Sequence, residues 1–403
     1  MKEILLKCYR KIKNPIEIVN VIKYYLRKSK LEQSQKPGTK ILLVTSYASN
    51  GIVTVLQTIF EYCEWSRFSI DVLNVEGRYI QISKERLSNY SAIIIHNTAD
   101  YHILSLERIN KQILKKYNGI KVVMKQDEHF MTQSFIDFFD ENSIDLVLTL
   151  WDIDTAEKVY KHDGKNQGLQ IMHYLTGYVP DSYKELDVDF NPRDIDIGYR
   201  GSIQPLLFGR LAYEKRNIGD RFASYALKAG LKCDISSKWE DRFMGDDWLA
   251  FLKRCKAVLG VESGSDIVDY SGDVKKQYDK YIKEHPNATE EESLVFVERF
   301  KGEITYRAIS PRHLEAAACG ALQVLYEGEY QGILKPYVHY VPLKRDYSNI
   351  EEVIDYIKDD AKRKKIVMQA REDIILSGKY SFRQFTDELD AKIEKLIEER
   401  GGN

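Results

Sequence analysis

At 403 residues the chain is long enough for two domains of ordinary size, and its 43% apolar content excludes global disorder. The 60 basic residues against 61 acidic ones leave a net charge of −1, which excludes a nucleic-acid binder relying on a whole-protein basic field. Five cysteines, far apart and in neither CxxC nor CxxH spacing, exclude a zinc module or a disulfide framework and fit a reducing compartment. No apolar run approaches the ~18 residues of a membrane-spanning helix. The N-terminus shows no apolar signal core, so a cytoplasmic location is expected.

Residues 1–30 hold nine Lys or Arg against Glu3 and Glu17, with apolar residues interleaved and Pro15 dividing two short helices. Such a segment either lies on an anionic membrane, at roughly 1 kcal/mol per basic residue near the surface, or packs on the first domain with its lysines solvated. Ser34 to Gly38 reads as a linker, which makes residues 1–37 an N-terminal extension. From 38 to 182, strand patterns at Lys40–Ala48, Ser69–Asn74, Ser91–His96, Lys121–Lys125, Asp145–Leu150 and Gln170–Tyr174 alternate with helical stretches such as Gly51–Cys63 and Thr132–Asp140. That alternation predicts a parallel sheet covered on both faces, a Rossmann-like unit.

Three places in this unit carry candidate chemistry. After the first strand, Ser49, Asn50 and Gly51 precede a helix, where backbone N–H groups can meet an anion or acceptor, although a plain strand–helix turn needs no function. The loop is not G-x-G-x-x-G, which disfavours a dinucleotide cofactor. His96 ends the third strand, as a contact to acceptor or donor or as a satisfied strand-end histidine. Lys125-Gln126-Asp127-Glu128-His129 ends the fourth strand and gathers two carboxylates and an imidazole, the groups of a general base. Asp127 stands ahead of Glu128 and His129, and the alternative is an exposed helix cap.

Polar residues 181–193 read as an interdomain connection. A second α/β unit, 194–380, follows, with strands in DIDIGYRGSI, at Lys232–Ile235, Ala257–Val261 and Leu322–Tyr326, and helices at Asp220–Ala229, Trp248–Arg254 and Ile350–Lys358. Residues 264–304 are a mostly polar insertion. The Gly201-Ser202 turn lets backbone amides approach a pyrophosphate, with Arg210 and Lys215 as cations. Ser310 and Pro311 suit a helix start, and Arg312 adds a bidentate phosphate donor there. In LEAAACG, residues 314–320, small side chains let a helix pack closely and Glu315 accept hydrogen bonds from paired hydroxyls such as those of a ribose. The bland alternative is a small-residue helix with Glu315 exposed. Residues 381–403 predict a helix with Phe385, Leu389, Ile393 and Leu396 on one face. Two tandem units place a crevice between the carboxyl ends of their strands.

The stretch 309–330, ISPRHLEAAACGALQVLYEGEY, resembles the donor-nucleotide element of GT-B glycosyltransferases, whose usual form reads roughly E-G-x-G-x-x-x-x-E-A-x-A-x-G. The first glutamate of that motif falls on Arg307 here, which leaves the donor sugar open. Residues 326–349 are similar to a divergent bacterial, CgeB-like branch of glycosyltransferase family 1. The resemblance implies an α/β protein of GT-B architecture, with two Rossmann-like domains facing across a cleft and a C-terminal helix crossing back to the first. It implies a hexosyltransferase-type enzyme that moves a sugar from a nucleotide-diphospho-sugar to an acceptor hydroxyl, in bacterial surface polysaccharide or glycolipid synthesis. Asp127, Glu128 and His129 then supply the base, Gly201, Ser202, Arg210, Lys215 and Arg312 hold the diphosphate, and Glu315 the ribose. Expected partners are the donor, a glycan or lipid-linked acceptor and an anionic membrane reached through residues 1–30, with no nucleic acid and no cofactor or essential metal. The location implied is cytoplasmic, on the inner face of the plasma membrane. Asp-x-Asp, the metal-binding pattern of another glycosyltransferase class, occurs at Asp152–Asp154, Asp187–Asp189 and Asp194–Asp196 and is cheap in a chain with 61 acidic residues. Two other readings stand: a GT-B nucleotide-sugar epimerase, and a non-catalytic polysaccharide or spore-coat assembly module, which Arg307 keeps open.

Overall fold

The computed structural model describes residues 36–47, 53–76, 84–100, 111–190, 193–243 and 245–401. Residues 1–35 of the basic extension, and the candidates Ser49, Asn50 and Gly51, lie outside them. The first sheet comprises β1 (Lys40–Thr45), β2 (Ser69–Asn74), β3 (Ala92–Ile95), β4 (Ile120–Met124), β5 (Leu146–Thr149) and β6 (Gln170–His173). They pair in parallel in the order β2-β1-β3-β4-β5-β6. Every residue of β3, β4 and β5 is buried, which is why these strands are mostly apolar rather than alternating, with Lys121 of β4 and Thr149 of β5 the buried polar exceptions.

The second sheet repeats the plan with β7 (Ile195–Arg200), β8 (Cys233–Ser236), β9 (Cys255–Gly260), β12 (Leu322–Tyr326) and β13 (Val341–Leu343), in the order β13-β12-β9-β7-β8 and again all parallel. The chain leaves β7 for β8 on one side and then crosses to β9 on the other, so the strand order reverses between β7 and β9. Open α/β sheets take ligands beyond the carboxyl ends of the strands at such a reversal. The helix Asp360–Ala370 was not expected, and the helix Arg210–Lys228 begins well before the expected Asp220. Gly219 interrupts its apolar pattern because a side chain there would press on the Tyr199 ring, 2.8 Å from an added Cβ.

The two units form the GT-B architecture and meet through three features. The helix Phe382–Gly401 crosses back, with Phe385, Leu389, Ile393 and Leu396 buried in the first core; each such burial stabilises by about 1.5–3 kcal/mol. Its buried Asp390 accepts from Tyr62 Oη at 3.1 Å, Ser66 Oγ at 2.9 Å and the Arg67 amide at 2.7 Å. A two-stranded antiparallel ribbon, β10 (Ser263–Ser265) with β11 (Tyr306–Ala308), places Tyr306 in the first core. Beside it Trp151 Nε1 donates to Thr305 O at 3.1 Å, and Met131 N to Asp269 O at 2.8 Å. The insertion folds as two helices, Asp273–Glu284 and Glu290–Glu298, the second started by a Thr289–Glu292 capping box.

Candidate functional site

The helix Pro311–Ala318 starts as its residues dictate, with Pro311 in the first turn and Ser310 Oγ accepting from Arg312 N at 3.4 Å. It ends at Gly320, whose φ of +68° suits glycine. A Cβ there would also sit 2.2 Å from Val188 Cγ1. Ala316, Cys319 and Ala321 pack against Phe251 and Leu252 of the helix Asp246–Arg254, which brings Trp248 over Glu315. Trp248 Nε1 donates to Glu315 Oε2 at 2.6 Å. Glu315 is therefore buried, not exposed; burial pushes its pKa up, while the indole bond and Arg312 hold it down.

A narrow cavity of about 40 Å³ opens at the β7/β9 reversal, lined by Arg200, Lys215, Trp248, Ser310, Arg312 and His313 among others. Arg312 donates to the Arg200 carbonyl, and its guanidinium lies 5.5 Å from the Trp248 ring. The Lys215 ammonium is pushed down to about 8, first by burial and then by Arg312, with Arg242 adding to it. Burial also lowers Arg312, and Arg242 again contributes. Three cations thus repel one another here. Asp127, from the first unit, is the carboxylate whose charge favours the Lys215 ammonium.

Asp127 is exposed at the end of β4 with φ +52°, a left-handed conformation that Asp tolerates better than most residues. Its N–H donates to Tyr306 Oη at 3.1 Å, so β11 holds this loop from the opposite unit. The two residues after it depart from the expected role. Glu128 is fully buried, accepting from Thr149 Oγ1 at 2.6 Å, from Leu150 N at 2.8 Å and from the Tyr160 hydroxyl. It ties the ends of β4 and β5 together, and burial raises it to about 7. His129 is buried against Phe208 and Tyr306, at ring distances of 4.8 and 5.0 Å. Burial lowers it to about 4, so it is neutral, and its Nδ1 has no hydrogen-bond partner. Enclosure rather than cleft exposure sets both residues apart from Asp127.

Four more candidates are engaged in the fold. His96 is buried, lowered to about 3, with Nδ1 2.9 Å from Thr98 Oγ1, the satisfied strand-end arrangement. The Gly201 amide donates to Ser236 O at 3.0 Å, and Ser202 Oγ accepts from Gln204 at 2.9 Å. Glycine is required at 201 because a Cβ would lie 2.7 Å from the Tyr199 ring, so this turn serves packing rather than presenting its first amide. Arg210 pairs with Glu298 at 2.6 Å and borders a different cavity, of about 320 Å³. There Arg307 meets Glu262 and Asp266, each at 2.9 Å, and Arg345 meets Glu214 at 2.6 Å.

The Asp-x-Asp acids serve local structure: Asp152 caps a helix through Thr155 N at 2.9 Å, Asp194 pairs with Arg254 and Asp196 with Lys256 at 2.7 Å. Among the described residues no group of three His, Cys, Asp or Glu is placed to hold a metal ion, and no helix is long and apolar enough to cross a membrane. Sequence reasoning missed Trp248 and Arg242. Trp248 carried a usable signal, an aromatic at the start of the expected helix Trp248–Arg254. Arg242 stands alone in a polar loop and carried none.

Residues 221–390 match a family model described as glycosyl transferase-like, a span that includes Arg242, Trp248, Arg312 and Glu315. No curated protein sequence matches the chain. Among solved structures it is similar to a DNA-modifying β-glucosyltransferase, solved with and without uridine diphosphoglucose, at 13% identity and TM-score 0.50 over 88% of this chain and 99% of that one. HepE of Anabaena, solved with UDP and glucose, is similar at 10% identity and TM-score 0.49, over 89% and 100%. The β-glucosyltransferase likeness, at 13% identity, establishes the fold alone.

Proposed function

We infer that this GT-B glycosyltransferase moves a sugar from a nucleoside-diphosphate sugar to an acceptor hydroxyl, using its own cations in place of a metal. The observation that carries the reading is the convergence of Lys215 and Arg312 at the β7/β9 reversal, opposite Asp127. The bond from the anomeric carbon to the diphosphate oxygen breaks as the acceptor oxygen bonds to that carbon. The electron pair leaves with the diphosphate, and Lys215 and Arg312 meet the charge that develops there. Asp127, exposed in the loop after β4, takes the acceptor proton. Glu315, its Oε2 held by Trp248, accepts from the ribose hydroxyls. Closure of the two units would exclude water.

A bacterial surface polysaccharide or glycolipid is the product class we propose, on the resemblance of residues 326–349, and the basic residues 1–30 suit a lipid-linked acceptor at an anionic membrane. The test is incubation with a panel of nucleotide sugars, with and without a membrane-lipid extract as acceptor, reading released nucleoside diphosphate and glycosylated product. Transfer that is lost in Asp127→Ala while donor binding persists is expected. An epimerised nucleotide sugar formed without acceptor, or a cellular glycan unchanged in Asp127→Ala and Glu315→Ala, would overturn it.

A further inference from the structure

We propose that Arg242 is the second guanidinium that grips the donor diphosphate, the task the sequence pattern assigns to Arg210. The proposal rests on the nucleotide-sugar reading above and names one more contact at the same site.

Arg242 lies in the loop that follows β8, at the carboxyl edge of the second sheet. Arg200 organises that loop. Its Nε donates to Asp241 O at 2.9 Å, and its guanidinium lies 4.7 Å from the Phe243 ring. The residues on either side of Arg242 are thus tied to one side chain, and the carbonyl of that same Arg200 accepts from Arg312. The fold therefore links the two guanidinium-bearing segments through a single buried residue.

The Arg242 guanidinium stacks on Trp239 at 4.2 Å, which fixes its plane and leaves its edge to donate. Its Nε is buried and has no hydrogen-bond partner. A buried guanidinium donor without an acceptor is an uncompensated desolvation that an anionic oxygen removes. No acid is paired with it among the described ion pairs, and its charge depresses both Lys215 and Arg312. Arg210 shows the opposite condition: its charge is met by Glu298 and it borders the other cavity. A diphosphate offers oxygens on two phosphorus centres, enough to engage a planar guanidinium on each side along with Lys215.

The test is calorimetric binding of UDP, GDP, dTDP, ADP and CDP, and of the matching monophosphates, to the full chain in EDTA. For the diphosphate that wild type binds, Arg242→Ala is expected to weaken affinity at least tenfold and the monophosphate less than threefold. Arg210→Ala is expected to change neither by more than twofold. Arg242→Gln keeps the first part of the side chain and a polar end without the charge and should show the same loss, which covers the case of an alanine variant that melts early. Wild-type diphosphate affinity in either Arg242 variant overturns the proposal, as does an equal loss of mono- and diphosphate. Wild-type protein that binds no nucleoside diphosphate overturns the nucleotide-sugar reading itself, and this proposal with it.

Discussion

Two groups of cations stand at the carboxyl edge of the second sheet and obey opposite rules. Around the larger cavity, Arg307, Arg345 and Lys301 each meet a buried carboxylate of Glu262, Asp266 or Glu214. At the β7/β9 reversal, Lys215 and Arg312 are instead held down by burial, with the charge of Arg242 adding to both, and the carboxylates that face them are Glu315, held by Trp248, and Asp127 from across the cleft. Paired charges at this edge hold the fold. Unpaired ones cost stability, and a bound anion is what relieves that cost.

The contrast is sharpest when one cation is removed from each group. Arg307→Ala removes the guanidinium that bridges Glu262 and Asp266, each 3% exposed, leaves Lys301 at 3.8 Å as the cation on Asp266, and is expected to destabilise by about 3–5 kcal/mol. Thermal unfolding reads this as a large fall in melting temperature, and an unchanged melting temperature would remove the structural role of that group. Arg312→Ala should behave in reverse. Its transfer kcat/KM is expected to fall 10²–10³-fold, or about 2.7–4 kcal/mol, the cost of losing one donor to a developing oxyanion. Relief of repulsion leaves its melting temperature at or above wild type.

A third test sets Glu128 against its neighbour Asp127. Burial raises Glu128 to about 7, above its ordinary value of 4.5, so the folded state keeps a proton that the unfolded chain releases. Stability from this group is present below pH 4.5 and lost as pH rises toward 7, by roughly 3 kcal/mol over that window. Denaturant titrations across that range should show the slope in wild type and Asp127→Asn but not in Glu128→Gln. The smallest effect concerns Lys215. With its ammonium at about 8, nucleoside-diphosphate affinity should fall several-fold between pH 7.5 and 8.5, and Lys215→Arg should move that fall to higher pH.

The sheets were legible because a strand buried on both faces is mostly apolar, as AIII of β3 and LVLT of β5 show. The helix carrying Glu315 was legible through its cap, Ser310-Pro311, and its small residues. The three-residue β13 and the full extent of Arg210–Lys228 were not, the first too short for a pattern and the second interrupted by Gly219. Side-chain direction within a loop was the deeper limit. Asp127, Glu128 and His129 are consecutive, yet the positive φ at Asp127 leaves one exposed and two enclosed, and no periodicity encodes that turn. The loop that carries Arg242 is set by Arg200, whose Nε donates to Asp241 O, a contact between residues far apart in the chain.

Thermal unfolding of wild type and Lys215→Ala with a panel of nucleoside diphosphates in EDTA tests the central claim, that this cation group is a metal-free diphosphate site. A ligand at 100 times its dissociation constant should add about 2.7 kcal/mol to the folded state. The account predicts that shift in wild type with one nucleoside diphosphate, and its loss in Lys215→Ala. An equal shift in Lys215→Ala, or no shift with any nucleoside diphosphate, would contradict it.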